Sequence, residues 1–205
     1  AAHTQWKEFM CQNLGATAGI NPFSPVAGNH GAKIQWGHNM AGTNGVYFVS
    51  QAYDQNPANT GTIGAWSQTD AANGAWNSGT ETNPVKNTAN DPCPSGYRVP
   101  TRTEWQAVID NNSIERTDTS TWSTTSTNYS SALYITNPQG VRTLMLPAAG
   151  FRNTDGSLYN RGYDGSYWSS GGATSNASGL YFNSSSVSVS NGSRTNGISV
   201  RCVAE

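Results

Sequence analysis

The sequence predicts an α+β fold with one clear helix near residues 101–112 and an antiparallel sheet toward the C-terminus. The helix is indicated by a capping pattern that begins at Thr101, directly after a proline. The sheet is indicated by three runs between residues 180 and 202 in which apolar and polar side chains alternate. Tryptophans in the Gly- and Asn-rich first half indicate long loops that are held against a core.

The composition is poor in charge. Only 11% of the 205 residues are charged and the formal net charge is -1, whereas about 25% is typical of soluble domains. No basic run is present, which argues against nucleic acid as a partner, and no apolar stretch reaches the length of a membrane span. The start, Ala1-Ala2-His3, lacks the charged and apolar regions of a signal peptide. We expect one monomeric domain, residues 1–205, with a sizeable core.

The N-terminal block, residues 5–14, leaves helix and strand open. Trp6, Phe9, Met10 and Leu14 fit a helical stripe, whereas Phe9 and Cys11 also alternate as in a strand. From residue 15 to residue 90 the chain is dense in Gly, Asn, Pro and Thr and is predicted to be loop-like. This stretch also carries tryptophans, which disordered linkers rarely do, so we expect its loops to be pinned to the core (Trp36, Trp66 and Trp76).

The predicted helix starts with a capping box, in which Thr101 accepts from the amide of Glu104 and the Glu104 side chain reaches back. Trp105, Val108 and Ile109 then form one apolar face, and Asn111-Asn112 ends the helix.

After the helix the pattern becomes β. Residues 141–146 form a strand candidate that Pro147 closes. The three alternating runs near the end predict an antiparallel meander with one dry and one wet face. Their apolar positions are Leu180 and Phe182, then Val187 and Val189, then Ile198, Val200 and Cys202.

Several phrases resemble the Fibrobacter succinogenes major paralogous domain family, which is common in secreted and surface proteins of Bacteroidetes. The most specific are Asp91-Pro92-Cys93-Pro94-Ser95-Gly96-Tyr97-Arg98-Val99-Pro100-Thr101 and Ser199-Val200-Arg201-Cys202-Val203. Others are Asn13-Leu14-Gly15-Ala16, Gln35-Trp36-Gly37, Gly150-Phe151-Arg152 and Tyr167-Trp168-Ser169-Ser170. The resemblance spans almost the whole chain. It implies a C-type-lectin-like fold and favours a strand for the N-terminal block.

The three cysteines contain no C-x-x-C pair. The resemblance implies a disulfide between Cys93 and Cys202, placed as in C-type-lectin-like domains, and the alternative is two buried thiols. Cys11 is expected to be a small buried hydrophobic residue.

The stretch 146–203 resembles, more narrowly, the variable region of proteins diversified by retroelements, in which Asn, Ser, Tyr, Gly, Asp, Ala and Thr fill the varied positions. Framework residues such as Gly150, Arg152, Trp168 and Phe182 are interrupted by such residues here. Trp168 is expected to belong to the core.

Ten residues between the framework positions, or on the wet side of the strands, are predicted to contact a ligand. They are Tyr159, Tyr163, Asp164, Ser166, Tyr181, Asn183, Ser186, Ser188, Asn191 and Ser193. Tyr with Ser, Gly and Asn is the composition of antibody paratopes, because Tyr offers a rigid amphipathic surface and the small polar residues adapt. The alternative is a solvated face without a ligand.

No catalytic residue, metal site or cofactor is predicted. His3, His30 and His38 make no helical pair, and the weak set Asn153, Asp155 and Asp164 is more typical of a turn than of a Ca²⁺ site. The formylglycine-generating enzymes, which the implied fold resembles, need a C-terminal cysteine pair that is absent. A two-carboxylate hydrolase stays open only if carboxylates meet in space, with Asp54, Asp70, Asp91 and Asp110 as candidates.

These observations predict a non-enzymatic recognition domain that is secreted, displayed on a cell surface or carried on a phage virion. Its partner would be a protein or a carbohydrate bound by the C-terminal sheet and loops. The alternative is a structural module of a cell-envelope or adhesin protein, in which the same face packs on a neighbouring domain.

Overall fold

The computed structural model describes residues 6–173 and 175–205. The predicted lack of a signal peptide concerns residues 1–3 and, like His3, lies outside the described residues. The described chain is mostly β with few helices, and its sheets are antiparallel. No helix in these ranges is long and apolar enough to cross a membrane.

The helices and strands are short and separated by long connections. The helices are α1 (Gln51–Gln55) and α2 (Arg102–Asn111). The strands of the first 116 residues are β1 (Lys33–Gln35), β2 (Phe48–Val49), β3 (Tyr97–Arg98) and β4 (Ser113–Arg116). They are followed by β5 (Ala132–Thr136), β6 (Arg142–Pro147), β7 (Phe151–Arg152), β8 (Leu158–Tyr159) and β9 (Gly165–Ala173). The last are β10 (Asn176–Phe182), β11 (Val187–Ser193), β12 (Gly197–Ile198) and β13 (Val203–Ala204).

The strands of the described residues form four sheets. A five-stranded sheet has the order β2-β1-β12-β7-β8, and two three-stranded sheets have the orders β11-β10-β9 and β4-β5-β6. β13 and β3 form a fourth, two-stranded sheet. The chain therefore returns at its C-terminal end to pair with strands from the first half.

Helix α2 confirms the predicted helix and its capping box. The Thr101 hydroxyl accepts from the Glu104 amide at 3.2 Å, and the Glu104 carboxylate accepts from the Thr101 amide at 2.9 Å. Trp105 is fully buried and donates its indole N–H to the Trp168 carbonyl oxygen at 3.0 Å. Val108 and Ile109 pack against the same core cluster. This face of α2 thus holds the C-terminal sheet in place.

The C-terminal meander exists, but one of its three predicted strands is wrong. Its third strand is β9, and the run from Ile198 to Cys202 lies elsewhere. Ile198 pairs with Ile34 of β1, and the carbonyl oxygens of Val200 and Cys202 accept from the N-terminal block. Alternation specifies which side chains share a face of a strand and does not specify the strand that pairs with it.

The N-terminal block is extended, as the resemblance implies. Phe9 forms a β-bridge with Val203, and the amides of Met10 and Leu14 bond to the C-terminal run. The prediction that Cys11 is buried is wrong: its thiol is free and exposed. Met10 and Leu14 turn toward the core, and the pleat of an extended chain directs Cys11 to the other side.

Cys93 and Cys202 form the predicted disulfide, with Cα atoms 5.9 Å apart and a sequence separation of 109. The bond ties the segment before α2 to the C-terminal end of the chain. Both residues are buried in the larger core cluster.

The loops of the first half are pinned as predicted. Trp36, Trp66 and Trp76 are buried, and each indole N–H donates to a main-chain carbonyl oxygen. Two of these bonds reach the C-terminal third, at Ser169 and Thr195. The short elements β1, β2 and α1 within this stretch were not predicted.

Two of the arginines in the family phrases have structural roles. Arg98 forms a bidentate pair with Glu104, with N–O distances of 2.8 and 2.6 Å. Arg201 is fully buried and donates to Asn13 at 2.7 Å and to the Met145 carbonyl oxygen at 2.9 Å.

Candidate functional site

A groove of about 330 Å³, here called the C-terminal groove, lies along the sheet β9–β11 and is closed on its other side by residues of β7 and β12. Its apolar wall includes Phe151, Phe182 and Ile198. Seven of the ten predicted contact residues line it: Asp164, Ser166, Tyr181, Asn183, Ser186, Ser188 and Asn191. Residues that the sequence places on three strands and two loops thus share one concave surface.

The centre of the groove is a row of three side chains across the sheet. Tyr181 of β10 pairs with Ser166 of β9 and with Ser188 of β11. Directly opposed residues in an antiparallel sheet point to the same face, so the Ser166 and Ser188 side chains flank the base of the Tyr181 side chain. Ser188 is exposed, whereas Ser166 is 3% exposed and lies at the floor.

Two glycines make room for the ring of Tyr181. A Cβ atom added at Gly179 would lie 3.2 Å from the ring atom Cε2, and one added at Gly192 would collide with the hydroxyl. The ring therefore lies against the main chain of β10 and β11. Burial raises the pKa of Tyr181 to about 12, and its hydroxyl has no hydrogen-bond partner in the described ranges. The hydroxyl is thus available to a ligand.

Asp164 places a carboxylate at the edge of the groove. Its Oδ2 atom accepts from the Asn160 amide group at 2.7 Å, and burial raises its pKa. Asn160 has a φ of 53°, a left-handed conformation that Asn tolerates better than most residues. The Asp164 main chain bonds to Asn160 and to Gly150, which fixes the loop.

The same loop is anchored by a buried ion cluster. Arg161 and Arg152 both donate to the Asp54 carboxylate, at 2.5 and 2.8 Å, and Lys33 Nζ lies 3.6 Å from it. All four side chains are almost completely buried. Burial alone would raise the pKa of Asp54, but the three cations lower it to about 2. Arg161 and Arg152 also donate to the main-chain carbonyl oxygens of Asp54 and Asn59.

The other three predicted contacts lie outside the lining of the groove. Tyr159 is 46% exposed and stacks on Phe151 with ring centroids 5.9 Å apart, so it extends the rim. Tyr163 is 38% exposed. The Ser193 hydroxyl lies 3.0 Å from the Thr195 hydroxyl and forms a hydrogen bond with it.

Several polar groups of the lining already have partners in the protein. The Asn183 Oδ1 atom accepts from the amides of Ser185 and Ser186, both at 3.0 Å, and so shapes the turn after β10. The Asn191 Oδ1 atom accepts from the Ser178 hydroxyl at 3.1 Å and from Arg102 at 3.3 Å. These residues shape the rim, whereas Tyr181 and Ser188 face the centre.

Sequence reasoning missed the far wall of the groove. Phe151 was named only within a family phrase, and Ile198 was predicted to lie on the dry face of a meander strand, whereas both line the groove. Asn196, in the turn before β12, also lines the groove. In the sequence, only the position of Asn196 between the runs that form β11 and β12 could have indicated that it lines the groove.

A second depression of about 340 Å³ lies beside the loops of the first half. His38 and the side chains of Asn73, Asn87 and Asn90 line it, and none of these was predicted as a ligand contact. The His38 ring stacks on Tyr47 with centroids 3.9 Å apart, and burial lowers its pKa.

Of the four carboxylates considered for hydrolysis, Asp70 is exposed and the other three bond to separate groups. Asp54 belongs to the ion cluster, Asp91 accepts from the amides of Cys93 and Val99, and Asp110 accepts from Gln106. In the turn 153–156, the Gly156 amide donates to the Asn153 carbonyl oxygen, and the Asp155 carboxylate binds Ser157.

Potential metal ligands are likewise dispersed. No group of three His, Cys, Asp or Glu side chains that could hold a metal is found in residues 6–173 and 175–205. His30 is buried, and burial lowers its pKa to about 3.

Comparison with known proteins gives one match. Neither a curated protein nor a solved structure shows significant similarity to the chain. The family model of the Fibrobacter succinogenes major domain matches residues 7–204. This range includes the N-terminal bridge, helix α2, the disulfide and the C-terminal groove. The chain therefore belongs to the Fibrobacter succinogenes major domain family.

Proposed function

We propose that this chain is a non-enzymatic recognition domain that binds a ligand in the C-terminal groove. The observation that carries the proposal is the convergence of seven predicted contact residues on one concave surface. The groove has an apolar wall and a few polar groups free to bond, which is the usual make-up of a ligand site. The free Tyr181 hydroxyl and the exposed Ser188 are the two groups best placed to select the ligand.

A C-type-lectin-like fold is part of this proposal. Its support is the disulfide that ties the segment before α2 to the C-terminal end, together with long ordered loops held by buried tryptophans. The disulfide also supports a secreted or surface location, on a bacterial cell or a phage virion, because disulfides persist in oxidising compartments.

Diversification of residues 146–203 is a further part of the proposal. Its support is the separation of roles along this stretch. Framework residues such as Arg152, Trp168 and Phe182 are buried, whereas Ser186, Ser188 and Asn191 between them are exposed. Exposed polar residues on a fixed scaffold tolerate substitution, so the surface could vary without loss of the fold.

The experiment compares the wild-type protein with two arginine variants on an array of oligosaccharides and extracellular proteins. Ser188→Arg places a long charged side chain in the groove, on an edge strand that tolerates it. Ser120→Arg is the matched control, because Ser120 is exposed and lies in a 3-10 turn away from the groove lining.

We expect at least one ligand on the array to bind the wild type and Ser120→Arg but not Ser188→Arg. Ligands that all three proteins retain equally would contradict the proposal, and so would an array without any bound ligand. The neighbouring-domain alternative predicts the second result.

A further inference from the structure

The charge of the C-terminal groove restricts the ligand. Among the described residues that line it, Asp164 is the only Asp, Glu, Lys, Arg or His. Arg102 and Arg116 bond to the Asn191 side chain and the Asn183 carbonyl oxygen but are not among the lining residues. An anionic ligand would therefore meet the Asp164 carboxylate and no lining cation, whereas protein sites for anions carry Arg or Lys. The lining therefore suits an uncharged ligand.

The ring of Tyr181 provides a flat surface in the groove. Because Gly179 and Gly192 have no side chains, the ring lies against the strands and its other side belongs to the lining. Phe151 provides a second aromatic surface, and its ring is backed by the stacked ring of Tyr159. A sugar ring has an apolar C–H face that packs on such surfaces.

Hydroxyl groups of a sugar also match the polar atoms beside the ring. The Tyr181 hydroxyl is without a partner in the described part of the chain and lies beside Gly192. Ser166 and Ser188 flank the other end of the side chain, where they pair with the Tyr181 main chain across the sheet. Asp164 keeps one carboxylate oxygen, Oδ1, beyond the bond from Asn160. Donors and acceptors thus lie at both ends of an aromatic surface, where a molecule with many hydroxyls can bond to them.

The size of the groove favours a small ligand over a protein surface. Its volume of about 330 Å³ is at the lower end of small-molecule sites, which begin at about 300 Å³. A stable protein interface buries roughly 800 Å² on each partner and is usually flatter. A ligand of one or two sugar units fits these limits better than a folded partner does.

We propose that the C-terminal groove binds a neutral saccharide, with one sugar ring packed on Tyr181 and its hydroxyls bonded to Ser188, Asp164 and the Tyr181 hydroxyl. This inference rests on the proposed function and names its ligand class.

The test uses an array that pairs neutral oligosaccharides of hexoses and N-acetylhexosamines with their sulfated and uronic-acid counterparts, beside a set of extracellular proteins. Wild type, Tyr181→Phe, Tyr181→Ala and Ser188→Arg are applied at equal concentration, and thermal unfolding confirms that each is folded. Affinity for the selected saccharide is then measured by titration calorimetry.

We expect binding to neutral saccharides and not to their anionic counterparts. Tyr181→Phe keeps the ring and loses one hydrogen bond, which weakens binding by about two- to tenfold. Tyr181→Ala loses the aromatic surface as well and weakens it by about tenfold or more. If Tyr181→Ala does not fold, Tyr181→Phe and Ser188→Arg still give the comparison.

Three results would overturn the inference: binding to anionic saccharides alone, unchanged affinity in Tyr181→Phe together with Ser188→Arg, or no bound saccharide at all. A protein ligand that binds the wild type but not Ser188→Arg would overturn the assignment of a saccharide and support the groove as the binding site. This result separates a wrong ligand class from a wrong binding site.

Discussion

Replacing Lys33 by Met should stabilise the protein. The Lys33 ammonium is fully buried, lies 3.6 Å from the Asp54 carboxylate, and shares that carboxylate with Arg152 and Arg161. Burial lowers the pKa of Lys33 from 10.5 to about 8, even though Asp54 raises it. At about 1.4 kcal/mol per pKa unit, the charged form costs on the order of 3 kcal/mol in the folded state. Met has a similar length and no charge, so Lys33→Met should raise the free energy of unfolding by up to about 3 kcal/mol near pH 7.

The assay is urea unfolding of wild type and Lys33→Met between pH 7 and pH 10.5. The unfolded chain holds the Lys33 proton up to about pH 10.5, whereas the folded protein releases it near pH 8. Between these two pH values the free energy of unfolding of the wild type should therefore rise relative to that of Lys33→Met, so the advantage of the variant should shrink. Lys7→Met is the control, because Lys7 is exposed and should change stability by less than about 1 kcal/mol. A destabilised Lys33→Met, or a difference that does not depend on pH, would refute the reasoning.

Three further predictions concern stability. Replacing Cys93 and Cys202 together by Ala frees a loop of 109 residues and should cost about 4 to 5 kcal/mol in denaturant unfolding, and unchanged stability would argue against the bond. Thr101→Ala removes the helix cap and should cost about 1 kcal/mol by the same assay, with no loss if the cap is unimportant. Burial alone would raise the pKa of Glu104, but bonds from Arg98 and the Thr101 amide lower it. The ionised Glu104 carboxylate therefore stabilises the fold above its unfolded pKa, and this stabilisation is lost as the pH falls through its folded pKa. Arg98→Met should flatten this part of the dependence of the unfolding free energy on pH.

Local signals in the sequence predicted local structure well. The capping box at Thr101 is complete within four residues, so it determined the start of α2 before any tertiary contact was known. The disulfide followed from family resemblance, since no spacing rule connects Cys93 with Cys202 across 109 residues. Exposure of Cys11 was missed because a small apolar residue on an extended segment can face either side.

Long-range pairing could not be predicted. The run from Ile198 to Cys202 alternates like a meander strand, but its partners lie near Ile34 and in the N-terminal block. The buried cluster around Asp54 was also missed, because nothing local distinguishes a buried lysine in a short strand from an exposed one.

Only part of the candidate groove could be predicted, because its far wall depends on long-range pairing. Alternation on β10 and β11 placed Tyr181 and Ser188 on one face, which the register of the sheet confirms. Phe151 belongs to another sheet and reaches the groove only through the tertiary fold.

The account is tested most directly by mapping amide chemical shifts of the isotope-labelled protein during titration with a neutral saccharide selected on the array. We predict that the largest shifts occur at Ser166, Tyr181, Ser188 and Gly192, which line the C-terminal groove. Largest shifts around His38 and the second depression would contradict the assignment of the site.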